Sequence, residues 1–392
     1  MPDVGVDRMK VLYFCEGYTD IRFVVGLSEI CDLTMAIPEH HLNESGLAAR
    51  LAERSARVHV DVIKGGRLAF QWRSLWYLLT KLRSFDVVLS QEMGRGSLNA
   101  TALGKVMRIP VVLYLGTSPV EYFRCRRLRG QVGAVRAWAS ETFLATAMKA
   151  TGTLSSAVVT TGPYLKDLAS SLASHVYEGY YCGIDTSLFK PVSSEERAAI
   201  RERLDFPAGK FVILFPSRIS HEKDPETILK ATAIARERGL DAAVMNLGGG
   251  FEDFLACARR LGLRDSEKWV MGRPAVHPMK NLCEYMQAAD VVVQASLAEG
   301  GGMSPLEALA CGTPVVATQI GGMALTLPGV AQLTPCGDAA AMADAIRWVS
   351  ENAEPARRQA LLGRDYVAAT WSRGRAFAAI AAALKESSGR PA

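Results

Sequence analysis

Residues Asp290 to Gly322 read DVVVQASLAEGGGMSPLEALACGTPVVATQIGG, and this stretch decides the fold. Val291 to Val293 is a short β-branched run suited to a strand buried on both faces. Glu299-Gly-Gly-Gly302 breaks the regularity. Successive glycines let backbone N–H groups come close to a ligand, because no Cβ stands in the way. Ser304-Pro305-Leu306-Glu307 has the order of a helix start, with Ser as N-cap, Pro at the first helical position and Glu at the third. Cys311-Gly312 ends that helix before Thr313-Pro314 and a second strand, Val315 to Ala317. A glycine loop feeding a helix N-terminus at the C-terminal end of a parallel strand favours phosphate, through both the free N–H groups and the helix dipole.

Two carboxylates flank this anion site. Glu307 is either the capping-box partner of Ser304 or an acid that faces a ligand. Glu299 is either a solvated loop residue or an acceptor for hydroxyl groups, since a carboxylate facing phosphate would repel it. A diphosphate with a polyol on each side, a sugar and a ribose, satisfies both.

Glu299 and Glu307 with seven residues between them, the alanine-rich helix that follows, and CGTPVVAT-x-IGG together resemble the retaining glycosyltransferases of family 4 (group 1). The resemblance extends over most of the C-terminal half. It implies an α/β protein of GT-B fold, two Rossmann-like doubly wound parallel-sheet domains facing across a cleft. It also implies that Glu299 contacts donor-sugar hydroxyls, that Glu307 contacts the nucleotide ribose, and that the amides of Gly301, Gly302, Met303 and Ser304 hold the diphosphate.

Size and composition fit such a protein. The 392 residues suffice for two domains, and 49% hydrophobic with 22% charged residues is a globular profile. No apolar run approaches the ~18 residues of a membrane-spanning helix, and Met1 to Lys10 is too polar for a signal peptide. The eight cysteines show no CxxC and no metal-ligand spacing, as expected of reduced thiols in a cytoplasmic protein. The net charge of +5 is uneven: up to Lys190 there are 22 Lys+Arg against 17 Asp+Glu, and 23 against 23 thereafter. Arg124, Arg126, Arg127, Arg129 and Arg136 carry much of the excess. They form either a solvated helix face or a patch for an anionic membrane, such as its inner surface, or for an acidic acceptor. No aromatic platform accompanies them, so nucleic acid is not the expected partner.

Along the chain, strands alternate with helices over the first ~180 residues, which predicts a parallel sheet. Lys10 to Cys15 is a first strand, followed by a loop with Gly17. Phe70 to Leu82 reads as a helix with Trp72, Trp76 and Tyr77 facing the core. The strand Val111 to Leu115 runs into Gly116, where the family usually has a histidine that contacts the donor sugar. Either the loop Gly116 to Glu121 supplies another polar group, with Thr117 and Glu121 as candidates, or activity is reduced. A turn at Gly183-Ile-Asp185 resembles the family's connector, which places the boundary near Pro191: residues 1–190 form the acceptor-side domain and 191–371 the nucleotide-sugar domain. By resemblance, a terminal helix over 372–386 returns to the first domain. In the second domain, Arg218 and Lys223 follow the strand Lys210 to Phe215, at the end where open α/β sheets bind ligands. By resemblance they neutralise the donor diphosphate. Gly249, after another strand, fits a nucleotide-side loop, while by resemblance Gly272 and Arg273 are expected beside the base.

The expected activity is therefore metal-independent, retaining transfer of a hexose-type sugar from a nucleotide diphosphate to a hydroxyl of a glycan, a lipid-linked acceptor or a small molecule. No cofactor is implied. Two rivals stand beside it. One is a catalytically silent sugar-nucleotide-binding subunit, motivated by Gly116. The other is a nicotinamide-dependent oxidoreductase, weakened because the first β–α loop lacks G-x-G-x-x-G.

Overall fold

The computed structural model describes residues 8–17, 19–44, 47–53, 57–128, 130, 132–248, 250–273 and 279–389. The chain forms two compact units. The first comprises the residues up to Arg124, Val132–Gly183, and the residues from Arg373 onward. The second comprises Ile184–Ser372 with Cys125–Gln131.

The first unit is a seven-stranded parallel sheet of β1 (Lys10–Phe14), β2 (Asp32–Pro38), β3 (Val58–Ile63), β4 (Val87–Gln91), β5 (Val111–Leu115), β6 (Ala157–Thr161) and β7 (Val176–Gly179). Their order is β3-β2-β1-β4-β5-β6-β7. β1 pairs with β2 on one side and β4 on the other, so the direction of winding reverses between β1 and β4. Such a reversal opens a crevice at the C-terminal ends of the two strands. Val111–Leu115 is buried throughout, as an apolar strand covered by helices on both faces must be. The helix Ile21–Ile30 starts where Asp20 accepts a hydrogen bond from the Arg22 amide, an ordinary N-cap.

The last helix, Arg373–Ser388, belongs to this unit and packs on β6, β7 and the helix Ile21–Ile30. The contact with that helix is close: a Cβ on Gly26 would stand 1.9 Å from the Phe377 ring. The unit boundary lies between Gly183 and Ile184 rather than near Pro191, because Ile184 donates to the Trp371 carbonyl and bridges Ser372.

The second unit repeats the winding with β8 (Phe211–Phe215), β9 (Ala242–Leu247), β10 (Val270–Arg273), β11 (Val291–Gln294), β12 (Val315–Thr318) and β13 (Gln332–Thr334). All are parallel, in the order β10-β9-β8-β11-β12-β13. The reversal here falls between β8 and β11. The Val291–Val293 run is wholly buried, and each such side chain contributes about 1.5–3 kcal/mol. Asp290 fixes the start of the strand: it accepts from Arg197, from Arg201 and from the Val212 amide, tying the helix Ser194–Arg203 to β8 and β11.

The expectation for the aromatic helix changes. Trp72 and Trp76 do not face the core. The buried stripe of the helix Arg67–Lys81 is Phe70, Ser74 and Leu78, which leaves both indoles on the opposite side, while Tyr77 donates to Asp61 at 2.6 Å. The segment from Gly162 is the helix Gly162–Ser170, with Pro163 in its first turn.

Candidate active site in the second unit

The crevice between β8 and β11 is floored by the loops that follow those strands. After β8 the chain runs through Pro216, Ser217 and Arg218 into a single tight turn, His221–Lys223, then into the helix Pro225–Glu237. Asp224 takes a left-handed conformation (φ 47°) to make that junction, and its carboxylate caps the helix, accepting from Thr227. This anchoring fixes Lys223 immediately before it.

After β11, Gly300 to Gly302 is buried, and Gly302 turns the chain at φ 74° straight into the helix Met303–Ala310. Ser304 is therefore not the N-cap and forms no capping box with Glu307. The left-handed glycine starts the helix earlier, placing Ser304 in its first turn, where the hydroxyl reaches the Pro216 carbonyl at 3.5 Å. That contact joins the helix start to the loop after β8. Glu307 is buried. Among the described residues, the amides of Gly301, Gly302, Met303 and Ser304 donate to no protein acceptor. Four unspent donors follow one another at a helix N-terminus, the arrangement that binds anions. The loop is held from behind by Gly322, whose amide donates to the Glu299 carbonyl at 3.0 Å and whose missing Cβ would stand 1.9 Å from the Gly300 oxygen.

Lys223 and Glu299 meet directly, Nζ to Oε2 at 2.6 Å, with their side chains only 20% and 13% exposed. The same Glu299 oxygen accepts from the Ser296 hydroxyl at 3.0 Å. Ser296 accepts from the Gln294 amide at 2.7 Å, and the Gln294 oxygen accepts from Ser217 at 3.2 Å. A continuous polar chain thus runs from the end of β8 to the cation–carboxylate pair. Arg218 is largely exposed, with Nη2 3.6 Å from the buried Glu222 carboxylate, whose main-chain oxygen accepts from Leu297. Gln294, Ser296 and Glu222 escaped the sequence reading; the one signal for Gln294 and Ser296 was position, at or just after the end of β11.

Other predicted residues fall in different places. Gly248 backs onto Ser217 and Arg218, where a Cβ would lie 2.7 Å from the Ser217 carbonyl, so the loop after β9 adjoins the site. Gly249 lies outside the described residues. Gly272 and Arg273 are the end of β10, covered by the Phe251 ring and held at Asp205 respectively: Arg273 Nη2 donates to the Asp205 carbonyl at 2.9 Å, so its guanidinium is already engaged.

In the first unit, Gly17 follows β1 with open space around it, and Gly116 and Thr117 follow β5. Glu121 accepts a hydrogen bond from Tyr164, whose hydroxyl is pushed up to about 12 by burial and by that carboxylate. Arg124 approaches Glu141 at 3.5 Å; Arg129 lies outside the described residues. One further feature was missed. Glu16 accepts from Gln71 and from the Gly96 amide, both at 2.6 Å, and Glu92, at φ 69° after β4, is pushed up to about 7 by burial and then by Glu16. All eight cysteines are free. Among the described residues no group of three His, Cys, Asp or Glu is placed to hold a metal ion, and no helix is long and apolar enough to cross a membrane.

Residues 196–364 match the family described as glycosyl transferases group 1. A D-inositol 3-phosphate glycosyltransferase of Arthrobacter sp. (strain FB24) is 40% identical over 147 residues, 36% of this chain and 33% of that protein. One from Kineococcus radiotolerans is 36% identical over 203 residues, 46% of this chain and 45% of its own length. The chain thus spans between a third and a half of the length of these curated relatives. Among solved structures, Anabaena Alr3699/HepE with UDP and glucose superposes with a TM-score of 0.76 at 19% identity, covering 96% of this chain and 99% of that one. Sucrose-phosphate synthase from Thermosynechococcus elongatus does so with a TM-score of 0.68, also at 19% identity, covering 96% and 99%. At these identities the likeness speaks to fold, and the fold is that of GT-B glycosyltransferases.

Proposed function

We propose, for a chain whose residues 196–364 belong to the glycosyl transferases group 1 family, that it moves a sugar from a nucleotide diphosphate donor to an acceptor hydroxyl. The observation that carries this reading is the set of unspent amides at Gly301–Ser304 beside the Lys223–Glu299 pair. The barrier to glycosyl transfer lies in separating a diphosphate from an oxocarbenium-like sugar. Preorganised donors and cations at the leaving group lower it, each well-placed donor by about 3 kcal/mol. The amides, Lys223 and Arg218 supply such stabilisation without a metal ion or cofactor. Donor entry exchanges partners: Lys223 turns from Glu299 to the diphosphate, and Glu299 accepts from sugar hydroxyls. Glu307 serves the ribose. Transfer on the face of the leaving group gives retention at the anomeric carbon.

Relatives named for D-inositol 3-phosphate make a phosphorylated polyol one acceptor class to try, beside glycans, lipid-linked acceptors and small molecules. Solved neighbours in complex with UDP and UDP-glucose make UDP-sugars the first donors to try. In this reading the protein works in the cytoplasm, and Arg124, Arg126, Arg127 and Arg129 touch an anionic membrane peripherally.

A second reading, a silent donor-binding subunit, is favoured by Gly116, which offers no side chain at the end of β5. Incubation with UDP-, GDP- and TDP-sugars and an acceptor panel, with and without EDTA, separates the readings. Transfer is expected with one sugar nucleotide, unaffected by EDTA, with the product keeping the donor's anomeric configuration. Binding without turnover by any acceptor favours the silent subunit. A rise in Tm with NAD and with no sugar nucleotide favours an oxidoreductase.

A further inference from the structure

The helix Arg67–Lys81 leaves its outward side uncovered. Trp72 is 77% exposed, Trp76 70% and Leu79 46%, spaced i, i+4, i+7 along one stripe. Indoles are seldom left so open on a protein surface that stays in water, and three large apolar side chains in register form a patch rather than scattered exposure. The opposite side of the same helix is well packed, with Phe70, Ser74 and Leu78 buried, so the exposed stripe is not a sign of a poorly seated helix. The segment's own charge is of one sign: residues 64–85 contain Lys64, Arg67, Arg73, Lys81 and Arg83 and no Asp or Glu, while the carboxylates of Asp61 and Glu16 meet the helix at Tyr77 and Gln71. Arg73, Lys81 and Arg83 are exposed, and Arg73 is braced against the Lys64 carbonyl at 2.7 Å. The helix Arg95–Met107 packs alongside and leaves Val106 exposed.

A soluble protein partner would be met by mixed charges. Indole rings, whose apolar body and polar N–H suit the zone between water and hydrocarbon, set beside an excess of cations, match a lipid surface of negative charge. We propose that the Trp72–Trp76–Leu79 face is a docking surface for the headgroup–acyl boundary of an anionic bilayer. It deepens the peripheral contact suggested above, moving its apolar part from the arginine run to this helix, and it depends on no step of sugar transfer.

The test is co-sedimentation of the full chain with phosphatidylcholine vesicles, with or without about 30% phosphatidylglycerol, alongside tryptophan emission. Wild type should bind the anionic vesicles with a blue shift and bind neutral vesicles weakly, with binding reduced by added salt. W72S/W76S should need about tenfold more lipid or worse for half-binding, with unchanged Tm and unchanged Tm response to a nucleotide sugar. W72F/W76F should retain most of the binding. K64E/R83E should lose the preference for anionic lipid while keeping the fold. Equal wild-type binding to both vesicle types, or none, would overturn the proposal. So would full retention in W72S/W76S, loss confined to an R124A/R126A/R127A variant, or a dimer in solution that W72S/W76S dissociates. None of these outcomes bears on whether donor binding or transfer occurs.

Discussion

Replacing Lys223 by Met breaks the pair at the centre of the site, and its effect on UDP affinity is opposite in sign to that of Glu299→Gln. At 2.6 Å, and with an effective dielectric constant near 20, the two charges attract by about 6 kcal/mol before desolvation is subtracted. Both side chains keep some access to water, so the net loss on stranding Glu299 is about 1–3 kcal/mol rather than the full buried-pair value. Glu299→Gln keeps the bond from Ser296 and relieves Lys223 of its partner. In urea denaturation, K223M, E299Q and the double variant should show a coupling energy of about 1–2 kcal/mol. In calorimetric titration with UDP, K223M should weaken binding about 10- to 100-fold, the worth of a charge-assisted hydrogen bond to phosphate. E299Q should bind UDP at least as tightly as wild type, because no carboxylate then competes for the lysine. It should lose the extra affinity that the sugar confers on UDP-sugar. Additive stabilities, or an E299Q variant that loses UDP as K223M does, would refute the exchange of partners.

Other perturbations test the surroundings of the site. Gly322→Ala places a Cβ 1.9 Å from the Gly300 oxygen and must displace the glycine loop by about 1 Å, at a cost of about 1–3 kcal/mol in urea melts with a parallel loss of UDP affinity; Gly17→Ala, with nothing within 4 Å, should leave stability unchanged. Glu92 favours its neutral form in the native state, so its contribution to stability declines as pH rises from 4.5, where the unfolded chain ionises, to about 7, and is flat above. That interval corresponds to about 3 kcal/mol, and about 2 kcal/mol is expected because the side chain is only partly buried from solvent. Glu92→Gln should remove the decline, gaining on wild type at pH 8 but not at pH 4; parallel pH profiles would contradict the burial of this acid.

The doubly wound sheets were legible because their cause is local. β-branched runs such as Val291–Val293, punctuated by glycine and followed by apolar helical periods, have few other folds available. The pairing of Lys223 with Glu299 was only half legible: strand ends marked both residues, yet nothing in the chain between them says that their side chains meet. Ser304 was misplaced because serine followed by proline is a good helix start, and the left-handed turn of Gly302 overrides it. Trp72 and Trp76 were misread because aromatic content was taken for burial. The i, i+4 row of Phe70, Ser74 and Leu78 was the better signal, obscured by a serine in the middle. Glu16 and Glu92 come together from the ends of two neighbouring strands, a proximity set by strand order and invisible to sequence spacing.

A crystal structure with UDP bound tests the anion grip most directly. The β-phosphate oxygens should lie within hydrogen-bonding distance, about 2.7–3.2 Å, of two or more of the Gly301–Ser304 amides, with Lys223 turned from Glu299 onto the diphosphate. A diphosphate bound elsewhere, with those amides in water and the Lys223–Glu299 pair intact, would contradict it.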